Sequence, residues 1–354
     1  MAEIKHFLGF DNWSKEEIMD MMDITMLLKE AREKGVRLPL LKDQNLAMMF
    51  AMESTRTRVS FEAAMTELGG HAMFLNTKTT HAGQMETWKE TGAVISSMVD
   101  AIAIRINDSS IVHTIAENSS VPVINMMDSA RHPSQVIADL LTIMERKPKD
   151  KELKDVVFMY IGDTTSNEAS PYSCCVTLKA HEELFSKLGM TMILCSPKEW
   201  QIQDDEWKAH IEAQFAESGG KLIVTDDPYE YIGEADFIYG GMTWYYDVRI
   251  PEDIAKAAFY PKYSVDATLM AKAKPTAWVM HFLPGNRGYE ITDEVWDGPQ
   301  SALLPQAENR LHAEKSILAY LMYPRRKQPS QALTDHYMGL AEDLLTKREP
   351  NYNY

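Results

Sequence analysis

Residues 53–62 read Glu-Ser-Thr-Arg-Thr-Arg-Val-Ser-Phe-Glu and lie between a short apolar run and a helical pattern. The apolar run at 46–51 predicts a buried strand, and the apolar spacing over 61–68 predicts the helix. A helix that starts just after a strand presents free backbone N–H groups and the positive end of its dipole, here with two arginines beside them. The stretch therefore favours a phosphate-binding site. The alternative is an N-capped helix with exposed arginines.

The 354 residues carry a net charge of −16 and are enough for two domains. This charge argues against a nucleic-acid surface, so an anionic substrate would need a local cationic pocket such as 53–62. The three cysteines, Cys174, Cys175 and Cys195, indicate neither a disulfide framework nor a metal-binding CxxC spacing, and they favour a reduced, cytoplasmic protein. The N-terminus lacks an apolar signal region, and no apolar run is long enough to span a membrane.

Strand and helix patterns alternate through the chain, which predicts an α/β fold of two domains, each a parallel sheet covered by helices. A charged, proline-containing stretch at 147–154 predicts the boundary between them. The predicted strands are 46–51, 72–75, 101–106 and 121–125, followed by 156–161, 191–195, 222–225, 237–239 and 278–281. Ligands of such sheets bind beyond the carboxyl ends of the strands. Polar side chains at these ends, Arg105, His132, Asp163 and His281, therefore predict one cleft between the domains.

Four motifs occur in order along the chain: Ser-Thr-Arg-Thr-Arg at 54–58, His-Pro-x-Gln at 132–135, His-x-Leu-Pro at 281–284 and Glu-Asn-Arg at 308–310. Together they resemble the aspartate/ornithine carbamoyltransferase family, and supporting stretches are most similar to the ornithine and putrescine branch. The resemblance implies transfer of the carbamoyl group of carbamoyl phosphate to a small amine, with no metal or organic cofactor. It also implies that 1–147 bind carbamoyl phosphate, 148–305 bind the amine, and the helices of 306–354 return to the first domain.

The resemblance assigns the phosphate to the first motif. Ser54, Arg56 and Thr57 match the residues that cradle it, and Thr55 and Arg58 complete the loop.

The carbamoyl group would be held by later motifs. Arg105 matches the arginine that bridges phosphate and carbonyl oxygen, and His132 and Thr57 match the groups that polarise the carbonyl. Gln135 and the backbone of Leu283 match acceptors for the carbamoyl NH₂, and Arg310 matches a further cation near the carbonyl.

Three of these residues also allow a structural interpretation that does not depend on the resemblance. His132 before a proline would be a loop cap, and Arg310 would be a surface charge on an amphipathic helix. Arg105 in an apolar strand is harder to dismiss, because an unpaired buried guanidinium is costly.

The loop that starts at His81 resembles one that family members insert into the site of the next subunit, which implies a homotrimer. The alternative for His81 is a solvated loop histidine. A last helix over 331–346 has an apolar side with no obvious partner in the sequence, and it packs on its own chain or on a neighbouring subunit.

The acceptor side departs from the ornithine enzymes. Gly240-Gly241 replaces their Thr-Asp, and Phe282 replaces a cysteine. The predicted acceptor-binding residues are Asn167, Met242, Tyr245, Asp247 and Phe282.

Among these, Asp247 could replace the lost carboxylate, and the aromatic residues 244–246 would either line a cation–π wall or pack the hinge. The acceptor is therefore ornithine- or putrescine-like or a different, unassigned amine. A protein that binds carbamoyl phosphate without turnover is a further alternative. A nucleotide-binding α/β protein is disfavoured because the chain lacks GxGxxG and Walker motifs.

Overall fold

The computed structural model describes residues 4–165, 176–241, 252–325 and 327–346. Its first sheet has four parallel strands in the order β2-β1-β3-β4. The strands are β1 (Asn45–Phe50), β2 (His71–Asn76), β3 (Ala101–Arg105) and β4 (Val123–Met127). The helices around this sheet are α1 (Lys15–Glu33), α2 (Arg56–Glu67), α3 (Trp88–Ser96), α4 (Ser109–Glu117) and α5 (Pro133–Arg146).

The second sheet has five parallel strands in the order β7-β6-β5-β8-β9. They are β5 (Val157–Gly162), β6 (Thr191–Cys195), β7 (Lys221–Thr225), β8 (Phe237–Gly241) and β9 (Trp278–Met280). Its helices are α6 (Leu178–Leu188), α7 (Asp205–Ser218), α8 (Glu252–Phe259), α9 (Ala267–Met270) and α10 (Asp293–Trp296). Strands β3, β4 and β8 are buried at every residue, which explains their apolar runs without alternation. The predicted α/β fold is confirmed.

In both sheets the order in which strands are added reverses at a central strand, β1 in the first sheet and β5 in the second. The chain runs from β1 to β2 and then returns to the other side of β1 for β3, and it makes the corresponding return at β5 before β8. Such a reversal leaves a crevice at the carboxyl ends of the two flanking strands, where ligands of open α/β sheets bind. Two of these ends, those of β1 and β3, carry the predicted phosphate loop at 54–58 and Arg105.

Helix α11 (Leu303–Met322) joins the two halves. Its N-terminal end lies against β9, and most of its length packs on α5, α2 and α1 around the first sheet. Because most of α11 packs on the first half, the helix places its own buried polar side chains there. Helix α12 (Gln331–Thr346) is exposed along its whole length. Within the described ranges, no helix is long and apolar enough to cross a membrane.

Candidate active site

The first motif begins helix α2 directly beyond β1. Thr55 is the N-cap residue and Arg56 opens the helix, so the backbone N–H groups of its first turn face the crevice. Thr57 is buried and Ser54 is half-buried. Thr55 is exposed, and Arg58 points elsewhere.

The Arg58 guanidinium pairs with Glu62 at 3.0 Å and lies 3.7 Å over the Phe74 ring. The structure therefore separates the two arginines of the motif: Arg56 turns towards the crevice and Arg58 lies on the outer face of α2.

Arg105 is the last residue of β3, and the sheet register sets it beside Phe50 at the end of β1. Its carbonyl accepts a hydrogen bond from the Ala51 amide at 2.9 Å, which ties this strand end to the chain that enters the first motif. The side chain is 6% exposed. It lies at the carboxyl edge of the sheet, where ligands of such sheets bind, so this position suits a contact with an anionic substrate.

His132 precedes Pro133 at the start of α5 and is buried. Burial, followed by the charges of Arg310, Arg105 and Arg56, holds the pKa of His132 well below its ordinary value. The imidazole is therefore neutral near pH 7. A neutral imidazole among three cations can donate a hydrogen bond to a carbonyl oxygen without adding a charge of its own.

Arg310 on α11 brings three elements together. Its Nη1 donates to Gln135 Oε1 on α5 at 2.9 Å, and its Nη2 donates to Thr57 Oγ1 on α2 at 2.9 Å. Nε and Nη2 also donate to Glu314 Oε1 one helical turn later, at 3.1 and 2.6 Å. The guanidinium is buried, so it is not the surface charge that an amphipathic helix alone would suggest.

Leu283 follows β9 and brings the second half to the same place. The Arg56 Nη2 donates to the Leu283 carbonyl. Leu283 has a φ of +51°, in the left-handed region that leucine rarely adopts. Its amide donates to His281 Nδ1 at 2.9 Å, and the other ring nitrogen of His281 lies 2.9 Å from Glu290 Oε2. These contacts hold the carbonyl in an orientation that an unsupported loop would not keep.

The structure thus gathers Arg56, Thr57, Arg105, His132, Gln135, Leu283 and Arg310 around one crevice. His81 is not among these buried groups. It lies exposed on a turn in which its carbonyl accepts from the amides of Gln84 and Met85.

Of the residues predicted to bind the acceptor, only Phe282 lies in the described part of the chain. Asn167, Met242, Tyr245 and Asp247 lie outside it. Phe282 is nearly buried and stacks on the His281 ring at 4.9 Å between centroids.

The Gly240-Gly241 pair ends β8 in tight surroundings. The Tyr160 hydroxyl donates to the Gly241 carbonyl at 2.7 Å. A Cβ added at Gly241 would lie 1.9 Å from Tyr160 Cζ, so a side chain at 241 and this tyrosine exclude each other. The Tyr160 ring therefore fills the space that a side chain at position 241 would need.

Sequence reasoning missed a set of buried polar residues behind the site, namely Asp139, His181, Glu290, Gln306 and Glu314. Two of them carried a usable signal: Asp139 and Glu314 each lie four residues after a predicted site residue on the same helix, where side chains meet. His181 and Gln306 carried none. Within the described ranges, no group of His, Cys, Asp and Glu is arranged to hold a metal ion.

Comparison with known proteins identifies the family. Residues 5–145 match the carbamoyl-P binding domain of aspartate/ornithine carbamoyltransferase, and residues 154–321 match its Asp/Orn binding domain. The putrescine carbamoyltransferase of Mycoplasma capricolum subsp. capricolum is 37% identical over 99% of this chain and 95% of its own length. The ornithine carbamoyltransferase of Archaeoglobus fulgidus is 39% identical over 90% and 98%.

A structural relative agrees with these matches. The ornithine carbamoyltransferase from Pyrococcus furiosus superposes with a TM-score of 0.81 at 36% identity, covering 90% of this chain and 97% of that one. The resemblance found in the motifs is confirmed, and the chain belongs to the aspartate/ornithine carbamoyltransferase family.

Proposed function

We propose that this protein transfers the carbamoyl group of carbamoyl phosphate to an ornithine- or putrescine-like amine and releases phosphate. The observation that carries the proposal is the buried contact of Arg310 with Thr57 and Gln135, beside a neutral His132. Donors for a phosphoryl group, donors for a carbonyl oxygen and acceptors for an amino group thus converge on one crevice, and carbamoyl phosphate has these three parts.

The phosphate would sit at the start of α2, where the Arg56 and Arg105 guanidinium groups and free backbone N–H groups supply charge and hydrogen bonds. The protein is acidic overall, so this local concentration of cations is what would draw in a dianion.

The carbonyl oxygen would accept from His132, Thr57 and Arg310. As the neutral amine attacks, a C–N bond forms and negative charge moves onto this oxygen, so the same donors stabilise the tetrahedral intermediate. The intermediate collapses by breaking the C–O bond to phosphate, and the proton that the amine nitrogen loses passes to the departing phosphate. Much of the rate would come from holding both substrates in a closed cleft.

The present contacts support a specific way of binding the ligand. The two predicted acceptors for the carbamoyl NH₂ are occupied by the site's own arginines: Gln135 Oε1 by Arg310, and the Leu283 carbonyl by Arg56. A bound dianion competes for both guanidinium groups. The Arg310 and Arg56 guanidinium groups would then move to the ligand. Gln135 Oε1 and the Leu283 carbonyl would become available to its amino group.

The acceptor is assigned by similarity alone. Relatives named for putrescine and for ornithine match this chain about equally well, at 37% and 39% identity. Gly240-Gly241 and Phe282 replace polar side chains on this side of the crevice, which also supports a different, unassigned amine.

We further propose a cytoplasmic homotrimer in which His81 of each subunit completes the site of its neighbour. The exposure of the His81 turn supports this arrangement, because a residue that serves another subunit must be accessible on its own. The cysteine content supports a reduced compartment.

The experiment is to supply carbamoyl phosphate with a panel containing ornithine, putrescine and further α-amino acids, diamines and simple amines. Phosphate release and the ureido product are both followed, because carbamoyl phosphate also decomposes without an acceptor. A ureido product from one amine supports the proposal and names the acceptor. Tight binding of carbamoyl phosphate without product from any amine would indicate a binding protein instead.

A further inference from the structure

Asp139 receives three hydrogen bonds in a fully buried position behind the site. Its Oδ1 accepts from Gln135 Nε2 at 2.8 Å and from Gln306 Nε2 at 2.6 Å, and its Oδ2 lies 2.8 Å from His181 Nε2. All four side chains are at most 1% exposed. They come from α5, α11 and α6, so a single carboxylate joins the two halves of the molecule.

A carboxylate only accepts, whereas an amide side chain has one donating and one accepting end. Asp139 therefore fixes which way both amides face. With its NH₂ on Asp139, Gln135 must point Oε1 into the crevice, where Arg310 Nη1 contacts it at 2.9 Å. With its NH₂ on Asp139, Gln306 must point Oε1 to the backbone amide of His281, 2.8 Å away.

The second amide continues the chain of contacts to Leu283. Gln306 anchors the His281 backbone, and His281 Nδ1 accepts from the Leu283 amide at 2.9 Å. This support maintains the left-handed conformation of Leu283 that directs its carbonyl towards Arg56 in the crevice. Asp139 is thus linked to Gln135 Oε1 directly through the Gln135 amide. It is linked to the Leu283 carbonyl through Gln306 and His281.

We propose that Asp139 is a positioning residue that, through the amides of Gln135 and Gln306, aims two oxygens at the amino group of carbamoyl phosphate. The inference rests on the proposed function, because it assumes that this ligand occupies the crevice. His181 completes the arrangement from the second half: it holds Oδ2 and leaves Oδ1 to both glutamines.

The test uses two matched phosphonates. Phosphonoacetamide has the carbonyl and amino group of carbamoyl phosphate with a stable CH₂ linkage, and 2-oxopropylphosphonate carries a methyl group in place of that amino group. Their difference in affinity reports the two acceptors together with the weaker hydrogen bonding of a ketone oxygen, and the change in this difference between variants reports the acceptors. Inorganic phosphate reports the phosphate contacts. Binding of all three is measured by calorimetry to the wild-type protein, Asp139→Ala and Gln306→Leu.

We expect the wild type to prefer the amide by about tenfold or more, the effect of two ordinary hydrogen bonds. Asp139→Ala should remove most of this preference and leave phosphate affinity within about twofold, because the phosphate contacts do not involve Asp139. Gln306→Leu should remove part of it, since only the route to Leu283 is cut. A merely structural role for Asp139 would weaken all three ligands together.

Different outcomes would refute the proposed function and the role of Asp139. Failure of the wild type to bind phosphonoacetamide would refute the proposed function. A wild-type preference that survives in Asp139→Ala would refute only the role of Asp139. Should Asp139→Ala not fold, Gln306→Leu is judged by the same ratio: it removes the amide that links Asp139 to the support of Leu283, and an unchanged ratio in that variant would again refute the inference.

Discussion

Arg310 and Glu314, one turn apart on α11, form an ion pair buried from solvent, with the guanidinium Nη2 2.6 Å from the carboxylate Oε1. Burial raises the pKa of Glu314 to about 7, although Arg310 acts in the opposite direction. A carboxyl group that titrates near neutral pH therefore contacts the cation assigned to the carbamoyl carbonyl. The charge available to the substrate then depends on the protonation of Glu314.

This relationship predicts that binding of phosphonoacetamide is accompanied by proton uptake at Glu314. A dianion beside Arg310 disfavours the ionised carboxylate and raises the pKa of Glu314 further, so the group takes up a proton at pH values near and above 7. This uptake should accordingly lower the affinity as the pH rises through this range, in opposition to the effect of the ligand's own ionisation. Calorimetry in two buffers of different ionisation enthalpy measures the uptake.

The matched variant is Glu314→Gln, which keeps the shape and an accepting oxygen for Arg310. The ligand's own protonation contributes equally in both proteins, so the difference isolates position 314. We expect uptake to be smaller in Glu314→Gln. Equal uptake in the two proteins would show that Glu314 does not titrate with the ligand.

Arg105→Ala should raise the carbamoyl phosphate requirement and lower turnover. The guanidinium lies buried at the end of β3 and is assigned a bridge between phosphate and carbonyl oxygen, so its loss removes a charge-assisted contact of about 2–5 kcal/mol. Steady-state kinetics with saturating amine give both constants. The control is Arg37→Ala, in which an exposed arginine is removed and both constants should stay the same. Near-normal kinetics in Arg105→Ala would remove this residue from the site.

The sequence predicted the α/β alternation because buried parallel strands such as β3 and β4 are apolar throughout. It did not predict the order of the strands, since pairing depends on contacts between distant parts of the chain. The short helices α9 and α10 were also missed, because four residues are too few for a helical period.

The candidate site, like the fold, was predicted from the sequence only in part. His132, Gln135 and Arg310 lie in motifs that can be read along the chain, and Arg105 lies at the end of a strand that its apolar run predicts. The contacts of Asp139 join residues 42 and 167 positions apart, so they follow only from tertiary packing. The sequence placed both Arg56 and Arg58 in the phosphate loop, whereas the helix turns only Arg56 towards the crevice.

Gly241→Ala should destabilise the fold by about 1–3 kcal/mol or more, the usual cost of overpacking. The new Cβ would lie 1.9 Å from Tyr160 Cζ, far inside contact distance. Thermal unfolding measures the change. Gly339→Ala is the matched control, because nothing lies within 4 Å of a Cβ there. Combining Gly241→Ala with Tyr160→Leu should restore part of the loss, and strictly additive effects would contradict the steric explanation.

Deletion of the chain after Pro329 should weaken the proposed trimer more than the fold of the single chain. Helix α12 is exposed along its length, and none of its described residues is buried. Exposed residues on this helix are Leu333, Tyr337, Leu340, Leu344 and Leu345. Apolar surface of this kind is favourable only when it is covered, and a neighbouring subunit is the partner that we expect.

Sedimentation over a range of protein concentrations measures assembly of the truncated protein, and thermal unfolding at the lowest concentration measures the fold. Tyr337→Asp tests the same surface within the full-length chain, since a charge there disfavours burial. We expect both variants to dissociate at concentrations where the intact protein stays assembled, with little change in unfolding of the dissociated chain. Unchanged sedimentation of the truncated protein would show that α12 does not hold the subunits together.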